Sequence, residues 1–157
     1  MKRLTCLLAA LLCSSATIYA ADDFIALDRA GATRVVNAAS HTKPTIVALW
    51  SSECIHCKKN LKLFADMARV HPQLKLITIA VEPMEEGLAE PLDRLGVSGS
   101  RFAYGAEAPE ALAHALDPKW RGELPRTILF DGRGGKVAFS GIITETIARA
   151  SLALSAD

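Results

Sequence analysis

The chain has 157 residues, half of them hydrophobic and about a fifth charged, which suits one globular domain with a core of its own. Lys and Arg number 18 against 17 Asp and Glu, a formal +1. With no basic stripe and no interleaving of aromatic and basic residues, the composition argues against nucleic acid as a partner.

The N-terminus reads as targeting rather than fold. Met1-Lys2-Arg3 is a positive start, and residues 4–12 form an apolar run too short to span a bilayer. Ile18-Tyr19-Ala20 ends in a small residue, so residues 1–20 read as a cleaved secretory signal. The alternative is an uncleaved segment that tethers the protein to the inner membrane. Neither Cys6 nor Cys13 follows a small residue, which argues against a lipoprotein anchor. Residues 21–157 then form a single domain. Of four cysteines, this exported domain keeps Cys54 and Cys57. A bridge across two intervening residues constrains the unfolded chain little, so its expected purpose is redox chemistry rather than stability.

Residues 24–27 read as a first short strand, Arg29-Ala30-Gly31 as a turn, and 33–40 as either helix or strand. His41-Thr42-Lys43-Pro44 is a loop. The apolar run 45–49 with Trp50 reads as a buried strand. Apolar residues then recur at helical spacing at Leu61, Phe64, Ala65 and Ala68, predicting a helix from about Cys54 to Val70 that stops before His71-Pro72. Residues 74–81 are rich in β-branched side chains and read as a second central strand. A helix is expected over 85–95, interrupted by Pro91, then a loop over 96–100 and a brief strand over 101–104. Residues 109–115 read as a helix with Pro109 in its first turn. The loop 117–123 leads to Leu124-Pro125. Strands over 127–130 and 136–140 form an antiparallel hairpin around 131–135. Thr144 caps a final amphipathic helix over 145–154. This order predicts an α/β fold with a mixed central β-sheet and helices on both faces.

The chemistry concentrates where the central strand turns into the long helix, at Cys54-Ile55-His56-Cys57. Unpaired backbone N–H groups and the positive end of the helix dipole face the first thiol, which favours its thiolate. Cys57 lies one turn further in, within reach of a disulfide. A protonated His56 supports the Cys54 thiolate, and Glu53 opposes it. The alternative for His56 is a solvated helix residue without a role. Trp50 is either a wall over the disulfide or plain core packing. Trp120 is expected at a core edge. His41, His71 and His114 are expected at the surface.

Trp50-x-x-x-Cys54-x-x-Cys57-Lys58, the later Leu124-Pro125-x-Thr127 before a strand, and the Phe130-Asp131-x-x-Gly134 hairpin resemble the thioredoxin-fold proteins. More narrowly, they resemble the exported TlpA/ResA/DsbE-like branch that includes cytochrome c maturation reductases. The resemblance implies a thiol–disulfide oxidoreductase that acts on protein thiols and disulfides, needs no cofactor, and exchanges electrons with a membrane relay partner. It implies a cis Leu124–Pro125 bond beside Cys54, in a loop that pairs its backbone with an extended substrate segment. The alternative for Pro125 is an ordinary loop proline before a strand. Ala48 departs from the pattern, standing where cytosolic thioredoxins carry a buried acid. Asn60 stands where many exported reductases of this group carry a glutamate. His56 is shared with the periplasmic oxidase of the Dsb system, so the direction of electron flow stays open between a reductase and an oxidase or isomerase-like protein. A different class, a copper carrier using Cys54 and Cys57, is left short of ligands. A redox-inert interaction module is a further class.

Overall fold

The structure is a computed structural model and describes residues 24–154. The expected signal at 1–20, with Cys6 and Cys13, lies outside the described residues. In chain order the elements are β1 (Phe24–Leu27), α1 (Arg29–Val35), a short 3₁₀ turn (Ala38–Ser40), β2 (Thr45–Trp50), α2 (Ile55–Val70) and β3 (Lys75–Pro83). They continue with α3 (Glu90–Arg94), β4 (Ser100–Tyr104), α4 (Pro109–Leu116), β5 (Arg126–Phe130), β6 (Lys136–Ser140) and α5 (Glu145–Ser151). The strands form one six-stranded sheet in the order β1-β4-β3-β2-β5-β6. The pairs among β1, β4, β3 and β2 are parallel, whereas β5 and β6 run antiparallel. The mixed sheet is the one expected.

β2 sits at the centre, and every one of its residues is buried. Its side chains alternate between the faces, as strand geometry requires. Ile46, Ala48 and Trp50 join an apolar cluster with Leu61 and Phe64 of α2, Leu92 of α3 and Ala148 of α5. Val47 and Leu49 join a second cluster with Ala32 of α1 and Leu112 and Leu116 of α4. Helices thus cover both faces. A strand buried on both sides is apolar throughout, which is why 45–50 is legible as a run rather than an alternation.

Several local expectations are corrected. Residues 29–31 are the first turn of α1, not a turn between elements. Asp28 Oδ1 accepts the Gly31 N–H at 2.6 Å, a side-chain cap that starts the helix. A Cβ on Gly31 would lie 2.9 Å from Asp28 Oδ1 and 3.3 Å from Leu27 Cδ1, so the glycine leaves room for that cap. α3 covers only Glu90–Arg94, and Pro91 lies in its first turn, where proline starts a helix rather than interrupting one. Thr144 caps α5 as expected, but the helix ends at Ser151.

His41 and His71, expected at the surface, are buried. His41 Nε2 lies 2.8 Å from the Val35 carbonyl, and its ring tilts against Phe130 with centroids 4.2 Å apart. His71 Nε2 lies 3.2 Å from an Arg149 guanidinium nitrogen. An imidazole buries readily when its apolar body packs and one nitrogen finds a partner. His114 is exposed, as expected.

Candidate active site

The antiparallel ladder between β2 and β5 builds the site. Leu49 pairs with Arg126 at its end. One step further, Pro125 comes alongside Trp50, where the chain leaves the sheet for Cys54. Cys54 after β2 and Pro125 before β5 are 71 positions apart in the chain, yet the register brings the ends of their two strands together. The Leu124–Pro125 bond is cis, as the resemblance implies. Pro125 is buried, and Leu124 packs against both core clusters while Cys54 packs against the first.

Cys54 and Cys57 form a disulfide. Cys54 is the N-cap of α2, in extended conformation, and its Sγ accepts the Cys57 N–H at 3.1 Å. Its sulfur therefore lies against the unpaired N–H groups of the first helical turn, which favour a thiolate once the bond is reduced. Cys54 is half-buried, whereas Cys57 is 1% exposed. The outer and inner sulfurs fall as expected. Ile55 and His56 face outward, Ile55 at 71% exposure.

Trp50 has no exposed surface and joins the cluster that contains Cys57. It packs as a core residue, and its indole N–H has no partner among the described residues. Ala48, two residues earlier on the same face, pairs with Thr78 of β3 on one side and Thr127 of β5 on the other. Both hydroxyls are buried and find no partner among the described residues. Where the cited pattern puts an acid, this chain puts a methyl group between two hydroxyls.

Three features escape sequence reasoning. Glu82 at the end of β3 accepts the backbone N–H of Ser52 at 2.6 Å and its hydroxyl at 3.3 Å, pinning the turn that carries the cysteines. The β3–β4 register slips between Ala80 and Pro83, at the same point. An isolated glutamate near a strand end carries no signal of this in the sequence.

Second, an ion-pair network organises the loop before Pro125. Arg126 pairs with Asp117, both side chains being 12% exposed, and donates to Ser140 Oγ at 2.7 Å. Glu123 accepts from Ser140 Oγ at 2.5 Å and from the Arg121 N–H at 3.1 Å. Trp120 Nε1 donates to the Glu123 carbonyl at 2.7 Å. Trp120 packs at the edge of the second cluster, as expected. It also lines a cleft of about 440 Å³ with Val81, Tyr104, Pro109 and Arg121. Burial opposes ionisation of Asp117, but hydrogen bonds from Arg126 and the Lys119 N–H hold its carboxyl below the usual range. The Ser140 hydroxyl does the same for Glu123.

Third, Asn60 is buried on the inner face of α2, one turn after Cys57. Its Nδ2 donates to the Gly141 carbonyl at 3.1 Å, and its Oδ1 accepts the Ile143 N–H at 3.3 Å. Gly141 in turn donates its own N–H to the Pro125 carbonyl at 2.8 Å.

Among the described residues, no group of three or more His, Cys, Asp or Glu side chains is arranged to hold a metal ion.

No protein-family model matches the chain, and no curated protein does. Solved structures do. A secreted disulfide oxidoreductase of Mycobacterium tuberculosis, homologous to E. coli DsbE, aligns with TM-score 0.57 at 13% identity over 74% of this chain and 84% of that one. A secreted thiol-disulfide isomerase of Corynebacterium glutamicum aligns with TM-score 0.57 at 15% identity, over 73% and 71%. The thioredoxin domain of a thiol-disulfide oxidoreductase from Bacteroides vulgatus aligns with TM-score 0.55 at 12% identity, over 72% and 79%. At such identities the likeness establishes the fold, and the fold is that of thioredoxin.

Proposed function

We propose that this protein is an exported thiol–disulfide oxidoreductase that works on protein substrates through the Cys54/Cys57 couple. The observation that carries the reading is a half-buried cysteine whose sulfur caps a helix, bonded to a fully buried one, with the Pro125 strand paired alongside in the sheet. The thioredoxin-fold relatives named as oxidoreductases and as secreted support it.

In the reducing direction, the Cys54 thiolate attacks one sulfur of a substrate disulfide. A Cys54–substrate bond forms, and the other substrate sulfur leaves as a thiolate. Cys57, deprotonated, then attacks Cys54 Sγ, displaces the second substrate thiolate and closes the Cys54–Cys57 bond. Two electrons have passed to the substrate, and a dithiol donor must return them to the couple. In the oxidising direction each step reverses. Leu124 supplies backbone for an extended substrate segment, since its N–H and carbonyl bond to no described residue while the Pro125 carbonyl is taken by Gly141.

The finer reading is a periplasmic reductase in a relay such as cytochrome c maturation, fed by a membrane electron partner. It draws on residues 1–20 as a secretory signal and on the relative homologous to DsbE. His56, exposed between the two cysteines in the first turn of α2, supports the second reading, an oxidase or isomerase-like protein, because a group there that stabilises the Cys54 thiolate stabilises the reduced form. The reduction potential separates the two, against about −270 mV for thioredoxin and about −120 mV for a strong periplasmic oxidant.

The chemistry itself is tested by trapping. Cys54→Ser loses all exchange, and Cys57→Ser accumulates a covalent adduct with a disulfide substrate, whose second sulfur leaves as a thiolate, seen on non-reducing gels and by mass spectrometry. A Cys57→Ser protein that forms no adduct rejects the scheme.

A further inference from the structure

Burying a primary amide on the inner face of a helix costs free energy unless its donor and acceptor are both used. Asn60 is the polar exception on a face otherwise made of Cys57, Leu61, Phe64, Ala65 and Met67, and it is 2% exposed. Its amide meets both requirements in one place, the connection between β6 and α5, through the Gly141 carbonyl and the Ile143 N–H. That connection also holds the proline loop. Gly141 has its N–H on the Pro125 carbonyl and its own carbonyl on Asn60. It does so at φ 88°, a conformation that favours glycine.

One residue therefore stands between the cysteine-bearing helix and the loop. The path runs Cys57, one helical turn to Asn60, a hydrogen bond to Gly141, a hydrogen bond to Pro125, and then Leu124. The β2–β5 ladder places Pro125 beside the start of the motif from the sheet side. The Asn60 link ties the same loop from the helix side.

We infer that Asn60 is a positioning residue that sets the register between the Cys54 sulfur and the Leu124–Pro125 backbone, and so tunes recognition of extended polypeptide substrates rather than sulfur chemistry. This rests on the exchange reading above. Its consequence is selective. A polypeptide disulfide must engage the loop backbone and present its sulfur to Cys54 at once, so it feels any change in their spacing. A disulfide without a peptide backbone needs the sulfur alone.

The test compares two oxidised substrates, a disulfide-bonded peptide and hydroxyethyl disulfide, for the wild type, Asn60→Leu and Asn60→Asp. Asn60→Leu removes both hydrogen bonds. Asn60→Asp keeps the size and the acceptor for Ile143 but sets a carboxyl oxygen in place of the amide donor against the Gly141 carbonyl, and near-UV circular dichroism with urea titration identifies which variants are folded and enter the comparison. The expected result is a ratio of kcat/KM, peptide over hydroxyethyl disulfide, lowered about tenfold, as the loss of one directional contact predicts, with the change carried by KM. Equal loss on both substrates in folded protein, or no change in the ratio, overturns the inference. Wild-type protein that exchanges with neither substrate would instead overturn the exchange reading.

Discussion

Glu82 accepts the backbone N–H of Ser52 at 2.6 Å, so a strand-end carboxylate on β3 holds the turn that delivers Cys54 to the helix. It also receives the Ser52 hydroxyl at 3.3 Å. Hydrogen bonds to a charged acceptor contribute more than neutral ones, roughly 1.5–3 kcal/mol when partly shielded. Glu82→Ala should lower stability to urea by roughly that lower figure, about 1.5 kcal/mol. It should also raise amide hydrogen exchange at Ser52 and its neighbours more than in the core strands. Unchanged exchange across 51–54 would remove the pinning role.

The Asp117–Arg126 pair yields a pH dependence. Asp117 is held below the usual carboxylate range in the folded state, with burial opposing and the Arg126 hydrogen bond prevailing. A depressed pKa contributes stability above the unfolded value of about 3.9 and loses it as pH falls through the folded value. Wild type should therefore exceed Asp117→Asn at pH 7, by about 1–3 kcal/mol for a pair between exposed and buried. The gap should narrow progressively below about pH 4. Urea titrations at pH 7 and pH 3 measure it, and a gap that persists undiminished in acid contradicts the assignment.

Tyr104 works at the other end of the scale. Burial pushes its phenol up to about 12, and its hydroxyl has no partner among the described residues. The unfolded chain ionises it near the ordinary value of about 10. Between those values unfolding releases a proton, so stability falls as pH rises through that window. Tyr104→Phe should abolish this slope and cost little at pH 7, since it removes a buried hydroxyl that makes no bond. Thermal unfolding from pH 7 through the window between about 10 and about 12, with absorbance at the tyrosinate band, reads both effects.

His56 tests the direction of electron flow. It is exposed in the first turn of α2, between the two cysteines. If it stabilises the Cys54 thiolate, the wild type is more oxidising than His56→Pro. A tenfold preference for the reduced form corresponds to about 30 mV. Equal potentials in a glutathione redox titration would assign His56 to the solvated surface.

The bonded cysteine pair, the strand and helix that frame it, and the fold class are legible from the chain alone. A central strand apolar on both faces, a helical repeat with a cysteine at its start, and a proline before a β-run are local patterns, and local patterns survive without coordinates. The same local reading mistook the capped start of α1 for a turn, because a glycine kept for space at Asp28 looks like a glycine kept for flexibility. It placed His41 and His71 outside, because an imidazole declares its partner only when Val35 or Arg149 is beside it. Tertiary structure alone decided that Pro125 lies beside Trp50, that Glu82 holds Ser52, and that Asn60 reaches Pro125 through Gly141. Each joins elements distant in the chain, and strand register and hydrogen-bond direction, which set those meetings, leave no trace in composition or periodicity.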